Sequence, residues 1–137
     1  MNFIIMGDPV AKGRPRLGRF GTYTPTKTRE AEDRIKSEIQ FSADKVKSKI
    51  YLEAAVSLEI NFYVKIPKTK KRGYPVSRPD VDNYSKLIMD ACNGILWNDD
   101  SQVITLIARK HYHENPHTEI SVNYIGVDIV TRVKNGD

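Results

Sequence analysis

Tyr51-Leu-Glu-Ala-Ala-Val-Ser-Leu-Glu-Ile-Asn-Phe-Tyr-Val-Lys-Ile66 alternates almost without fault. Leu52, Ala54, Val56, Leu58, Ile60, Phe62 and Val64 fall on one face, and Glu53, Ser57, Glu59, Asn61 and Lys65 on the other. A period of two belongs to extended chain, whose successive side chains point to opposite sides. The stretch therefore predicts one long strand, buried on one face and wet on the other.

Working outward, two helical patterns flank this strand. Glu30 to about Ser42 carries Ala31, Ile35, Ile39 and Phe41 among charges, a narrow apolar stripe. Thr26 or Thr28 is placed to cap that helix, with Pro25 in its entry turn. Val81 to Ile95 places Tyr84, Leu87, Ile88, Ala91 and Ile95 three and four residues apart, and Asn93-Gly94 supplies the stop. Phe3-Ile-Ile-Met6, halted by Gly7-Asp-Pro9, reads as a first strand. Val103 to about Tyr112 reads as another, and Asn115-Pro-His-Thr118 as a turn into a strand from Glu119 to about Val130, antiparallel to it. Residues 11–25, rich in Gly, Pro and Arg, fit no regular element. Pro67 to Pro79 reads as a basic loop. The expectation is a single small α/β (α+β) domain over 1–137, with a mixed, largely antiparallel sheet of about four strands and two main helices.

The 137 residues are enough to bury a core without disulfides. Cys92 is the single cysteine and falls in an apolar helical pattern, so it reads as a packed, reduced thiol. No basic leader precedes a long apolar run, and nothing approaches the ~20 apolar residues of a membrane helix. A soluble, cytoplasmic protein is expected. The net charge is +5, unevenly spread: residues 1–79 hold 17 Lys and Arg against 8 Asp and Glu, residues 80–137 hold 5 against 9. Surface basic excess attracts polyanions through counterion release. An acidic cluster beside it repels phosphate unless a cation sits between them, a combination that suggests divalent metal with nucleic acid. A solvated charged surface is the plainer reading of the same totals.

The acidic residues concentrate in Arg78-Pro-Asp-Val-Asp-Asn-Tyr-Ser-Lys86 and Asn98-Asp-Asp-Ser-Gln-Val103. Magnesium takes hard oxygen ligands, usually one or two carboxylates with waters and phosphate oxygens. Asp80 and Asp82 stand where loop becomes helix, an end that favours anions. Asp99 and Asp100 follow after one helix and a turn, with room to return a third carboxylate. Lys86 lies one turn beyond Asp82, suited to holding the scissile phosphate, orienting water or protonating the leaving group. Asp90 continues the row but a turn too far for a ligand. The same residues also fit helix caps, an Asp82–Lys86 surface pair and a simple turn. His111, His113 and His117 lack a further ligand for zinc and read as ordinary exposed histidines. Arginines in 11–25 could bond phosphates, with Phe20 or Tyr23 stacking on an unpaired base.

The chain resembles the RusA family of Holliday-junction resolvases, found in bacteria and their prophages. The resemblance is carried by Asp80-x-Asp82-Asn83-x-x-Lys86, Asp90-Ala-Cys-Asn-Gly94, Asp99-Asp-Ser-Gln-Val103 and Lys110, with Gly7-Asp-Pro9 and Lys12-Gly-Arg-Pro-Arg16 at the start. It implies a homodimeric endonuclease that nicks four-way DNA symmetrically with Mg²⁺, for which Mn²⁺ can substitute, in recombination and repair. Asp80, Asp82 and Asp100 become metal-binding catalytic carboxylates, with Asp99 adjacent, and Lys86 the catalytic lysine. Lys12, Arg14, Arg16, Lys70, Lys71, Arg72 and Arg78 are the expected DNA contacts. A nuclease for other branches such as flaps, or a non-catalytic junction-binding module, is the alternative.

Overall fold

The computed structural model describes residues 1–13, 16–18, 21–23, 26–69 and 73–127. Its elements are β1 (Asn2–Met6), β2 (Arg16–Gly18), β3 (Gly21–Tyr23), α1 (Thr26–Ala43), β4 (Ala55–Lys65), α2 (Val81–Cys92), a 3₁₀ turn (Asp100–Gln102), β5 (Val103–His113) and β6 (His117–Ile125). Four strands form one mixed sheet in the order β1-β6-β4-β5. The result is a small α+β fold with two helices on one side of the sheet.

The alternating stretch is the strand on which the others depend. Val56, Leu58, Ile60 and Phe62 are all at most 1% exposed. Register places Ile60 beside Ile120 of β6 and Ala108 of β5, and Phe3 of β1 beside Ile120, so one apolar row crosses the whole sheet. Against it pack Ala31, Ile35 and Ile39 of α1, and Tyr84, Leu87, Ile88 and Ala91 of α2. Each such side chain taken fully out of water contributes about 1.5–3 kcal/mol. Tyr84 stacks on Phe62 with ring centroids 5.1 Å apart, which seats the first turns of α2 on the sheet.

The strand is shorter than its alternation suggests. Leu52 and Ala54 lie in a turn, where the Leu52 carbonyl accepts from the Asn98 N–H at 3.0 Å. The Gln102 amide donates to Leu52 and Ala54 carbonyls at 2.7 and 2.9 Å. Hydrogen bonds that a neighbouring strand would supply come instead from the turn before β5.

The expected β5–β6 hairpin does not form. β5 pairs with β4 in parallel, and β6 pairs antiparallel with the other edge of β4. The reason lies in the inward faces. β4 is apolar along its length and takes the centre. β5 offers Leu106, Ala108, Lys110 and Tyr112, half-exposed or polar, and suits an edge.

Four local expectations also change. Arg16–Gly18 pairs with Gly21–Tyr23 as a short antiparallel ladder inside the segment expected to be irregular. Thr28 does not cap α1; it is buried in the first turns and its hydroxyl accepts the Gly13 N–H at 3.1 Å. Phe41 is 63% exposed under the Lys45 ammonium, 3.9 Å from the ring centroid, while Ala43 takes the inward position. Helix α2 stops at Cys92 rather than Ile95, and Gly94 at φ +82° turns the chain so that the Trp97 indole donates to Asn93 Oδ1 at 2.8 Å. Residues 128–130, the expected end of the last strand, lie outside the described residues.

Ile39 and Phe41 shared one stripe in the sequence and part company in the fold. Ile39→Ala is expected to lower unfolding free energy by about 2–5 kcal/mol. Phe41→Ala should stay within about 0.5 kcal/mol. Urea denaturation of both variants measures the difference.

Candidate active site

The acidic motif is presented by α2 and the turn before β5. Asp80 occupies the position just before α2 with extended backbone (φ −69°, ψ 149°), and its carboxylate makes no capping bond. Asp82 stands exposed in the first turn. Neither carboxylate is in a hydrogen bond or ion pair among the described residues. The capping role and the Asp82–Lys86 pair are therefore not realised. The loop leading to Asp80 is held from the sheet: Lys110 Nζ donates to the Ser77 and Pro79 carbonyls, each at 2.9 Å.

Lys86 reaches the opposite way. Its ammonium lies 3.1 Å from Asp90 Oδ1 and 3.1 Å from Asp100 Oδ2. Asp90 Oδ2 is in turn 3.0 Å from Lys12 Nζ, which also bonds Glu32 of α1 at 2.9 Å. Five alternating charges thus run Glu32, Lys12, Asp90, Lys86, Asp100. The structure brings Asp100 to Lys86 but does not close Asp80, Asp82 and Asp100 into one cluster: among the described residues no three His, Cys, Asp or Glu side chains are gathered to hold an ion.

Asp99 has a structural task. Its carboxylate accepts the Ser101 N–H at 3.0 Å while its own N–H donates to Gln102 Oε1 at 2.9 Å, a reciprocal cap on the 3₁₀ turn. The bond from Ser101 lowers its pKa. This cap fixes the backbone from which Asp100 projects.

Electrostatics follow the ladder. Hydrogen bonds to Asp100 and then Asp90 raise the Lys86 pKa. Burial works to lower that of Lys12, but its bonds to Glu32 and Asp90 outweigh it and the pKa rises. Burial works to raise that of Asp90, and the two lysines overturn this and lower it.

Among the expected DNA contacts, Arg78 is exposed just before Asp80, whereas Lys12 is committed to two carboxylates. Arg14, Lys70, Lys71 and Arg72 lie outside the described residues, as do Phe20 and the side chains of Arg16 and Tyr23. Tyr74 is 73% exposed. A cleft of about 190 Å³ opens beside the Asp80 loop, with Lys65, Arg78 and Lys110 around it and Tyr84 and Tyr112 in its wall. The histidines are half-buried rather than exposed. Tyr63 is sandwiched between His111 and His117, centroids 4.9 and 4.3 Å away, with His113 edge-on. Burial drives the Cys92 thiol up to about 12, as a packed thiol requires.

Two residues named in the sequence motifs have roles that the sequence did not assign. Lys110 could have been flagged as the cation on the inward face of a strand whose neighbours there are Leu106, Ala108 and Tyr112. Asp90 stood in the Asp82–Lys86–Asp90 row and in the Asp90-Ala-Cys-Asn-Gly94 motif, with no partner but Lys86 in view. Its second partner, Lys12, comes from 78 positions away, and no local spacing reports it.

The ladder has a signed pH signature. Asp90 is depressed, so its contribution to stability is present above about pH 4 and lost as pH falls through its lowered value. Lys12 and Lys86 are raised, so theirs are present below about pH 10 and lost as pH rises through their raised values. The stability difference between wild type and Asp90→Asn is expected to be flat from about pH 5 to 9 and to shrink at both ends. Urea midpoints across pH measure it.

Comparison with known proteins now has a site to attach to. Residues 6–123 match the family described as endodeoxyribonuclease RusA, a span that runs from the last residue of β1 through both helices and every residue of the charge ladder to most of β6. An uncharacterised protein of Bacillus subtilis (strain 168), YqaN, is 30% identical over 141 aligned positions, covering 91% of this chain and 96% of that protein. With the match running through Asp80, Asp82, Lys86 and Asp100 together with the strands and helices that carry them, the chain belongs to the RusA family of endodeoxyribonucleases.

Proposed function

We propose that this protein is a magnesium-dependent endonuclease that resolves four-way DNA junctions by paired, symmetric nicks, in the cytoplasm, during DNA recombination and repair. The observation that carries the reading is one helix with two carboxylates at its start, Asp80 and Asp82, uncommitted among the described residues, and Lys86 one turn on, bonded to Asp100. Exposed carboxylates, an ammonium one turn on and a preceding basic residue, Arg78, are the parts phosphodiester hydrolysis needs.

The donor chemistry fits the metal. Carboxylate oxygens are the hard ligands that magnesium prefers, and it retains waters and takes phosphate oxygens for the rest. Asp80, Asp82 and Asp100 would hold it, and Asp99 keeps to its cap. Bound there, magnesium supplies charge neutralisation at the phosphate and an acidified water.

The chain's own groups do the rest. Lys86 uses two of its three ammonium protons on Asp90 and Asp100, leaving one for a phosphate oxygen or the leaving group. Arg78, beside the cleft, offers a planar pair of donors to the adjoining phosphate. Lys110 holds the carbonyls of Ser77 and Pro79, so the loop carrying Asp80 is set before DNA arrives.

Two opposed nicks on a two-fold substrate call for two equal sites, hence a homodimer. The sheet face away from the helices supports this, since Ile4, Met6, Ile107 and Ile125 are exposed there, each 43% or more. Sedimentation equilibrium is expected to give twice the chain mass.

The central test uses end-labelled four-way junctions beside linear duplex of the same sequence, in Mg²⁺ or in EDTA. Paired nicks are expected in the junction alone and only with metal. Asp82→Asn should lose more than about 100-fold in cleavage, beyond the usual effect of a residue that merely supports a ligand, while junction binding holds or tightens because a negative charge is gone. Binding without nicks in either Mg²⁺ or Mn²⁺ would sink the nuclease reading.

A further inference from the structure

We infer that Asp90 is the positioning residue for Lys86, and that Lys12 fixes Asp90 and so joins the basic N-terminal segment to the active site. The inference rests on Lys86 acting at the phosphate, and deepens that reading by naming what holds it there.

Asp90 divides its carboxylate between two cations. Oδ1 faces Lys86 at 3.1 Å, one turn back on α2, and Oδ2 faces Lys12 at 3.0 Å. Its side chain is only 18% exposed, against 55% for Lys86. A long, wet lysine is thereby tied to a short, sheltered carboxylate. Lysine carries a large rotamer entropy that a fixed partner removes. When Asp100 turns to other work, Asp90 still holds the ammonium beside it.

Lys12 is anchored at both ends. Its N–H donates to the Asn83 carbonyl of α2 at 2.9 Å, and the next N–H, of Gly13, donates to the buried Thr28 hydroxyl of α1 at 3.1 Å. Its ammonium spans from Glu32 on α1 to Asp90 on α2. Two carboxylates compensate its charge and its side chain is 24% exposed, against 55% for Lys86, so its place is in the frame of the site rather than on a phosphate. The chain then continues directly to Arg14 and Arg16. Any pull of DNA on those arginines acts on the residue that secures Asp90, and through it Lys86.

The test compares wild type, Asp90→Asn, Asp90→Glu, Lys12→Gln and Lys12→Arg. Three quantities are read: the single-turnover nicking rate at saturating protein, junction affinity in EDTA, and, without DNA or metal, the ¹⁵N signal of the Lys86 ammonium in an Asp100→Asn background, where Asp90 is its remaining carboxylate partner among the described residues. Asp90→Asn is expected to slow nicking about 10- to 100-fold, the usual effect of removing an orienting partner, with affinity unchanged within about 2-fold and the Lys86 ammonium signal lost to rapid exchange. Asp90→Glu and Lys12→Arg should recover much of the rate, and Lys12→Gln should behave as a weaker Asp90→Asn.

A wild-type rate in folded Asp90→Asn would overturn the inference. So would a Lys86 signal that persists in that variant, or a rate loss that vanishes once unfolded protein is discounted from the melting curve. If wild type itself nicks no junction, the proposed function fails while the ammonium signal still decides whether Asp90 holds Lys86.

Discussion

The burial of one face of β4 is the constraint from which the rest follows. Val56, Leu58, Ile60 and Phe62 need apolar partners along their whole length, and no single helix supplies them. Two helices do, and the sheet closes around β4 with β6 on one edge and β5 on the other. Because β5 runs parallel to β4, the chain must travel back between them, and α2 is that return. The acidic motif therefore sits on a crossover helix whose inner face is buried in the core, with Tyr84 stacked on Phe62. Its outer face is left to carry charge.

That outer face is arranged as alternating signs rather than as a bare acidic patch. Three carboxylates and two lysines interleave across α1, the N-terminal segment, α2 and the 3₁₀ turn. Unpaired carboxylates at this spacing would repel one another and would expel a phosphate. With lysines between them the cluster is nearly neutral, and among the described residues the carboxylates without an ion-pair partner here are those of Asp80 and Asp82. The basic first half and acidic second half of the sequence are thus not two surfaces. They meet at Lys12 and Asp90.

The central strand, both helices and the acid motif were legible because each is written in local periodicity: two for β4, three and four for α2, and the clustered aspartates on one helix and its following turn. What was not legible required partners distant in sequence. The parallel pairing of β5 depends on which inward face is more apolar, a comparison between strands. Phe41 looked like Ile39 by type, and only the position of Ala43 at the end of α1 shows which one the core accepts. Leu52 and Ala54 continued the alternation, yet Asn98 and Gln102 took their carbonyls. Asp90 was set aside for being one turn too far from the start of α2, an argument that judged it as a ligand and left its lysine partners out.

The two lysines that hold this site enter from opposite sides and act on opposite ends of the same motif. Lys110, from β5, grips the backbone just ahead of Asp80. Lys12, from beyond β1, grips the side chain of Asp90 in the last turns of α2. Neither needs to touch DNA to matter, since each replaces conformational freedom near the carboxylates with a fixed bond. A site of the proposed kind, which would admit both a cation and a polyanion, gains from this division. The groups proposed to meet the substrate, Asp80, Asp82, Arg78 and Lys86, stay exposed. Their supports are the sheltered side chain of Asp90 and the backbone carbonyls of Ser77 and Pro79, which substrate charge cannot easily displace.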